Sequence, residues 1–290
     1  MKYNYNSIAD IAAFSERDGI PFWQVVLRSE VELTEADEAA VLGEAKKRIA
    51  IFNQSVEDGL ADIRTTPSGM SGGQAKALFD GQPRFLSPLA YKALTYAIAV
   101  NEANAKMFRI VACPTAGSCG VVPGVMRAVG DTYHLDEEAY VRGFFAAAGV
   151  GNVITNAACV AGAVGGCQAE VGSAAAMAAA AAVAMMEGTT DEVVAAMALC
   201  LKNVLGLVCD PVAGLVEVPC VKRNGIYAVH ALTAAEMAMA GLRSQIPADE
   251  VIGAMDRIGR ALPSALRETS EGGLAVTETG KQIAERVRNL

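Results

Sequence analysis

The chain has 290 residues and a net charge of −8, with 52% hydrophobic, 19% charged and only 6% aromatic residues. That length allows a large buried core, and the acidic balance excludes the electrostatic footprint of a nucleic-acid or anionic-membrane binder. Seven cysteines, an odd number in a chain of this size, argue against a disulfide scaffold and for thiols that are core filler or metal ligands.

The N-terminus, Met1 to Ser7, has no apolar signal-peptide core, so a cytoplasmic location is expected. Short helices are predicted near 7–14 and 21–30. Thr34-Glu-Ala-Asp37 has the look of a capping box, after which Val41, Ala45, Ile49, Phe52, Val56 and Leu60 recur at helical spacing. A glycine- and serine-rich break at 66–73, containing Ser68 and Ser71, precedes a helix over 71–80. Ser87-Pro88 pairs a cap with proline at the first helical position, and the helix it starts should run to about Met107. Asn101, Glu102 and Asn104 place polar groups late in that apolar helix, with Asn101 and Asn104 on one face.

A second break, 114–124, holds Thr115 and Ser118. A helix follows over 136–148. The uncharged stretch 143–166 is long enough to raise a membrane span, but its six glycines and Asn152, Thr155 and Asn156 read better as buried helices with a break. A third break, 162–172, leads into a helix over 168–187 whose alanine-rich run implies tight packing. Helices are also predicted over 190–203, 226–241, 247–261 and 274–287, with a fourth break at 209–225 before the last three. No alternating strand pattern and no dinucleotide or phosphate-loop fingerprint occurs. The expected fold is all-α, and the four breaks are expected to meet in one pocket.

The chemistry concentrates in those breaks. A helix rising about 1.5 Å per residue would hold Cys209 and Cys220 roughly 16 Å apart, but Pro211, Gly214 and Pro219 disfavour one. A loop can bring both sulfurs to one small inorganic centre, and Cys167 offers a third on a glycine-rich turn. Three thiolates can hold a [4Fe–4S] cluster with one iron open; ordinary buried thiols are the alternative the spacing leaves open. Hydroxyls and backbone N–H groups around Thr115 and Ser118 can bind a substrate carboxylate or simply cap a helix, and Ser68 and Ser71 share that ambiguity. Lys222, Arg223 and Asn224 can face a carboxylate or an anionic centre, or solvent. For moving a proton, Ser118, Glu170 and Lys222 all stay open. His134 and His230 lack metal-ligand spacing.

Five stretches carry a resemblance: Ser-Gly-Met-Ser-Gly-Gly (68–73), Pro-Thr-Ala-Gly-Ser-Cys-Gly-Val-Val-Pro-Gly (114–124), Gly-Gly-Cys-Gln-Ala-Glu-Val-Gly-Ser-Ala (165–174), the cysteine-bounded segment 209–224, and Leu-Arg-Glu-Thr-Ser-Glu-Gly-Gly-Leu-Ala (266–275). In order and over nearly the whole chain they resemble the α subunit of bacterial iron–sulfur-dependent L-serine dehydratase. The resemblance implies one catalytic domain over 1–290, dehydration and deamination of L-serine to pyruvate and ammonia without pyridoxal phosphate, and a [4Fe–4S] cluster on Cys167, Cys209 and Cys220. From their own chemistry, Ser68, Ser71, Asn101, Asn104, Thr115, Ser118, Arg223 and Asn224 are the expected substrate contacts, with capping, interhelical bonding or solvent exposure as the alternatives. A separate regulatory β chain, a homo-oligomer, or both are the expected partners. Gln74 stands where the family often has an acidic residue, so no catalytic charge is assigned there. β-Elimination on L-threonine or L-cysteine is the nearest alternative. A non-catalytic subunit with a fully ligated cluster, using Cys113 or Cys119, is an alternative of another class.

Overall fold

Local capping and proline chemistry set where the helices begin. In the computed structural model, which describes residues 1–290, there are thirteen α-helices and no strand. Helix α1 (Ile8–Asp18) opens on a reciprocal box between Ser7 and Asp10. After α2 (Phe22–Thr34), helix α3 (Glu38–Ala61) starts on Asp37, whose carboxylate accepts from the Ala40 N–H at 2.7 Å. The expected box at 34–37 is therefore a plain aspartate cap, and Thr34 closes the preceding helix. Helix α4 (Gln74–Asp80) precedes α5 (Pro88–Ala105), which begins at the Ser87-Pro88 cap as expected.

Two elements differ from expectation. Helix α6 (Val121–Tyr133) forms between the second break and the helix predicted over 136–148, where no helix was predicted. Helix α7 (Glu137–Ala157) runs on past residue 148 through the glycine-rich stretch, then breaks before the short α8 (Gly162–Gly165). A five-residue π-helical turn, Gln168–Gly172, feeds α9 (Ser173–Met185). The chain continues through α10 (Thr190–Lys202), α11 (Cys220–Met239), α12 (Ala248–Ala261) and α13 (Glu278–Arg288).

Every residue of α9 is buried, and α6, α7, α10 and α11 pack around it. The stretch Gln168–Met185 is long and apolar enough to cross a membrane, but 94% of it is buried inside the protein, as a central core helix requires. Its alanines leave room for close neighbours. Helix α5 lies between α3 and α4 on one side and α6 and α11 on the other. Gly59 of α3 meets it so closely that a Cβ there would lie 1.9 Å from the Ala99 carbonyl oxygen.

Candidate functional site

Hydrogen bonds tie all four glycine-rich breaks together. The π turn after Cys167 forms where Gly166 takes a left-handed conformation and the Gln168 N–H donates to the Leu207 carbonyl. Gln168 is fully buried; its amide nitrogen donates to the Met255 carbonyl at 2.9 Å and its amide oxygen accepts from the Gly206 N–H at 2.8 Å. It thus pins the Cys167 turn to α12 and to the loop after α10. Gln168→Ala should strand both backbone partners, at about 1–3 kcal/mol each, read as a fall in the denaturant midpoint.

Cys209 is held by a segment far along the chain. Its N–H donates to the Leu266 carbonyl at 2.9 Å and its carbonyl accepts from the Glu268 N–H at 2.8 Å, a single parallel bridge in an otherwise helical protein. Next to it, Asp210 accepts from Arg223 at 2.9 Å and from the Leu274 N–H at 2.9 Å. The Ser270 hydroxyl closes the same contact by donating to the Pro211 carbonyl at 2.7 Å. The third cysteine sits elsewhere than expected. The break ends at Pro219, not Gly225, so Cys220 is the first residue of α11, and Lys222, Arg223 and Asn224 lie on its first turns.

The three sulfurs are buried and free of disulfides. Interaction with Cys209 lowers the Cys167 thiol below its ordinary value against the cost of burial, with the Arg223 charge assisting. The same interaction raises Cys209, and burial together with the charges of Cys167, Glu170 and Glu268 adds to that rise. Burial pushes Cys220 up to about 12, with the charges of Cys167 and Glu170 contributing.

Glu170 faces this group. One carboxylate oxygen accepts from the Thr115 hydroxyl at 2.8 Å and the other lies 3.7 Å from the Cys209 sulfur. Burial raises its carboxyl above the ordinary value, the Thr115 bond opposes the rise, and the Glu268 charge adds to it. Glu268, in the C-terminal bridge, has a left-handed backbone (φ 62°) that only constrained surroundings retain in a non-glycine residue. Ligand atoms of Glu170, Cys209 and Glu268 all lie within 4.8 Å of one another. Gly162 lines the same space: a Cβ there would lie 2.6 Å from Glu170, 2.9 Å from Glu268 and 3.1 Å from the Cys209 sulfur. This is a cradle of soft sulfur and hard oxygen donors with an Arg223 guanidinium close by, and thiolate-rich sets favour zinc or iron–sulfur centres over hard cations.

The remaining expected residues fall into three groups. Thr115 joins Glu170 directly, and Ser118 sits behind it, fully buried and donating to the Cys113 carbonyl at 2.9 Å. Arg223 donates to the Val208 carbonyl at 3.0 Å and to Asp210, and lies close enough to Cys167 to favour its thiolate. Asn224 has its amide committed to backbone: it donates to the Gly117 and Cys220 carbonyls at 2.9 Å each and accepts from the Gly120 N–H at 3.1 Å. It therefore fastens the Thr115 loop to the Cys220 helix. Asn104 donates to the Ala116 carbonyl at 3.1 Å on the same loop. Asn101 is fully buried on α5, donating weakly to Cys119 with its amide oxygen unpartnered.

Ser68 and Ser71 are drawn to a buried carboxylate, Glu217, in the Cys209–Cys220 loop. Lys222 is exposed, and no hydrogen bond or ion pair links it to the cradle. Glu268, Glu217, Asp210 and Gly162 were not foreseen from the sequence. Asp210 and Glu217 were visible as two acids inside an apolar, proline-rich loop, where a buried charge must find partners. Glu268 had no signal beyond its place in the 266–275 stretch that carries the resemblance. Cys113, Cys119 and Cys200 are buried among core side chains, and burial alone pushes Cys113 up to about 12. His230 bonds the Cys200 carbonyl from α11 and His134 ends α6.

Similarity to known proteins covers nearly the whole chain. Residues 17–275 match the family described as serine dehydratase alpha chain. A protein of Bacillus subtilis (strain 168) named "Probable L-serine dehydratase, alpha chain" is 44% identical over 286 residues, spanning 98% of this chain and 95% of that protein. The "L-serine dehydratase, alpha chain" of Peptoniphilus asaccharolyticus is 39% identical over 281 residues, 96% of each chain. In the longer "L-serine dehydratase 1" of Escherichia coli (strain K12), 42% identity extends over 184 residues, 62% of this chain and 40% of that one.

Proposed function

The chain belongs to the serine dehydratase alpha-chain family, and from that premise we propose that it converts L-serine to pyruvate and ammonia with a [4Fe–4S] cluster on Cys167, Cys209 and Cys220. The observation that carries this reading is the buried Cys209 sulfur set beside Glu170 and Glu268, with Thr115 bonded to Glu170 and two further free, buried thiols, Cys167 before the π turn and Cys220 at the start of α11, near enough to act on it and on each other by charge. The residues fit such a group: three free cysteines supply soft donors beside the Glu170 and Glu268 carboxylates, Gly162 leaves the cradle open, and the Arg223 guanidinium offsets thiolate charge. A cluster bound there would supply a Lewis acid for the substrate oxygens, a contribution of several kcal/mol.

Everything else comes from the chain. L-Serine must lose a proton from Cα and hydroxide from Cβ; the enamine formed becomes an imine that water hydrolyses to pyruvate and ammonia. Glu170 is suited to hold or pass that proton, because burial weakens its acidity and Thr115 fixes which oxygen faces the sulfurs. Thr115 and the backbone of the Ala116–Ser118 turn, fastened from below by Asn224, form the wall opposite Cys209. A separate β chain as partner is in keeping with relatives whose names call them alpha chains, and a cytoplasmic setting suits oxygen-sensitive thiol ligation.

The test is pyruvate release from L-serine by anaerobically purified protein, with and without iron and sulfide, alone and with its β chain. Activity should appear only in the brown, reconstituted sample. A loaded complex that leaves L-serine untouched but acts on L-threonine or L-cysteine would overturn the substrate assignment, and activity in a colourless sample would overturn the cluster.

A further inference from the structure

Glu217 is a buried carboxylate with no ion-pair partner. It lies in the loop between two of the cradle cysteines. Its neighbour Val216 approaches the same Gly117 position that Glu170 and Thr115 border, at 3.4 Å from where a Cβ would stand. One Glu217 oxygen accepts from the Ser68 hydroxyl at 2.7 Å; the other accepts from the Thr66 hydroxyl at 2.6 Å and from the Ser71 hydroxyl. All three hydroxyl residues are themselves buried.

The loop that bears them is otherwise rigid. The Thr66 N–H donates to the Ser71 carbonyl, the Gly69 N–H to the Thr66 carbonyl, and the Gly72 and Gln74 N–H groups to the fully buried Glu102 at 3.1 and 2.9 Å. Two carboxylates from two elements thus hold one short loop, Glu102 by its backbone and Glu217 by its hydroxyls.

A hydroxyl has one proton and two lone pairs. When Thr66, Ser68 and Ser71 each give the proton to Glu217, only acceptor lone pairs remain for anything else that approaches. Met70 takes one of them, its N–H donating to Ser68 at 3.1 Å, and the Ser71 N–H reaches Thr66 at 3.4 Å. Ser71 keeps both of its own. The loop is therefore acceptor-rich and carries a negative charge that no cation of the chain neutralises, whereas buried charges are ordinarily paired.

We propose that Glu217 is a positioning residue that turns the Thr66–Ser71 loop into a receptor for the α-ammonium of the amino-acid substrate, acting through the three hydroxyls. The inference rests on the L-serine reading above and assigns that substrate's two ends. The ammonium goes to the hydroxyl loop, and the carboxylate and reacting carbons go to the cysteine cradle.

Glu217→Gln keeps the shape and removes the charge. The test uses reconstituted holoenzyme with its β chain and compares two probes: L-serine, by its KM, and 3-hydroxypropanoate, which is L-serine without the amino group, by its inhibition constant. The variant should weaken L-serine about tenfold or more, as loss of a charge-assisted interaction requires, and leave 3-hydroxypropanoate unchanged. Equal weakening of both probes, or of neither, overturns the proposal; a merely structural role would move both. Ser71→Ala, which removes a hydroxyl but leaves the carboxylate, should show the same selective loss in smaller measure and decides the matter if Glu217→Gln does not fold. Wild-type holoenzyme that does not turn over L-serine at all would instead defeat the functional reading itself.

Discussion

Cys209→Ala should give a folded protein that remains colourless after anaerobic treatment with iron and sulfide and releases no measurable pyruvate. Cys167→Ala and Cys220→Ala should do the same, because each sulfur comes from a different local structure. Losing several kcal/mol of Lewis-acid stabilisation corresponds to a fall in turnover of about a thousandfold or more. Cys113→Ala is the control. Its thiol lies in the core, where burial alone raises it, so the variant should load iron and turn over L-serine like the parent. The visible absorbance of the reconstituted variants and their pyruvate assay check both statements. A Cys209 variant that keeps its colour and activity would remove the cradle from the mechanism.

The largest effect on stability should come from Gly59→Ala. The added methyl would fall 1.9 Å from the Ala99 carbonyl oxygen and 2.4 Å from its carbon, both backbone atoms that cannot rotate away. Overpacking of this kind costs about 1–3 kcal/mol or more, well beyond the gain of up to about 1 kcal/mol that alanine brings to a helix interior. At about 2–4 °C per kcal/mol for a large domain, the thermal midpoint should fall by several degrees. Activity should suffer more than stability alone explains. Helix α5 would be pushed outward, and it carries Glu102, which holds the backbone of the Ser71 loop.

How much of this was legible in the sequence differs from element to element. The Ser87-Pro88 start of α5 and the alanine-rich core helix follow from rules that act within a few residues, and both formed as expected. The 143–166 stretch also formed helix with a break after Ala157, largely buried as far as Gly151 but with Asn152, Thr155 and Asn156 exposed. The start of α11 did not. Proline at 219 was read as part of a loop continuing to Gly225, whereas the helix begins immediately after it and takes Arg223 and Asn224 onto its first turns. Those turns aim Arg223 at Asp210 and Asn224 at Gly117, which spacing along the sequence does not reveal. Glu268 lay furthest from view. It reaches Cys209 only because residues 266–268 pair with it as a lone parallel bridge, a contact with no periodic trace in the sequence.

That bridge also has a consequence in time. A chain leaving the ribosome folds from its N-terminal side, yet the backbone around Cys209 is completed by Leu266 and Glu268, and Asp210 by Leu274. Helices α1 to α11 can therefore bury their alanines while the sulfur donors still lack their final orientation. The cluster proposed for this protein would then have to be delivered to a chain whose synthesis has passed residue 274. Any fragment released earlier would present thiols without a finished socket, open to oxidants and to the wrong metal.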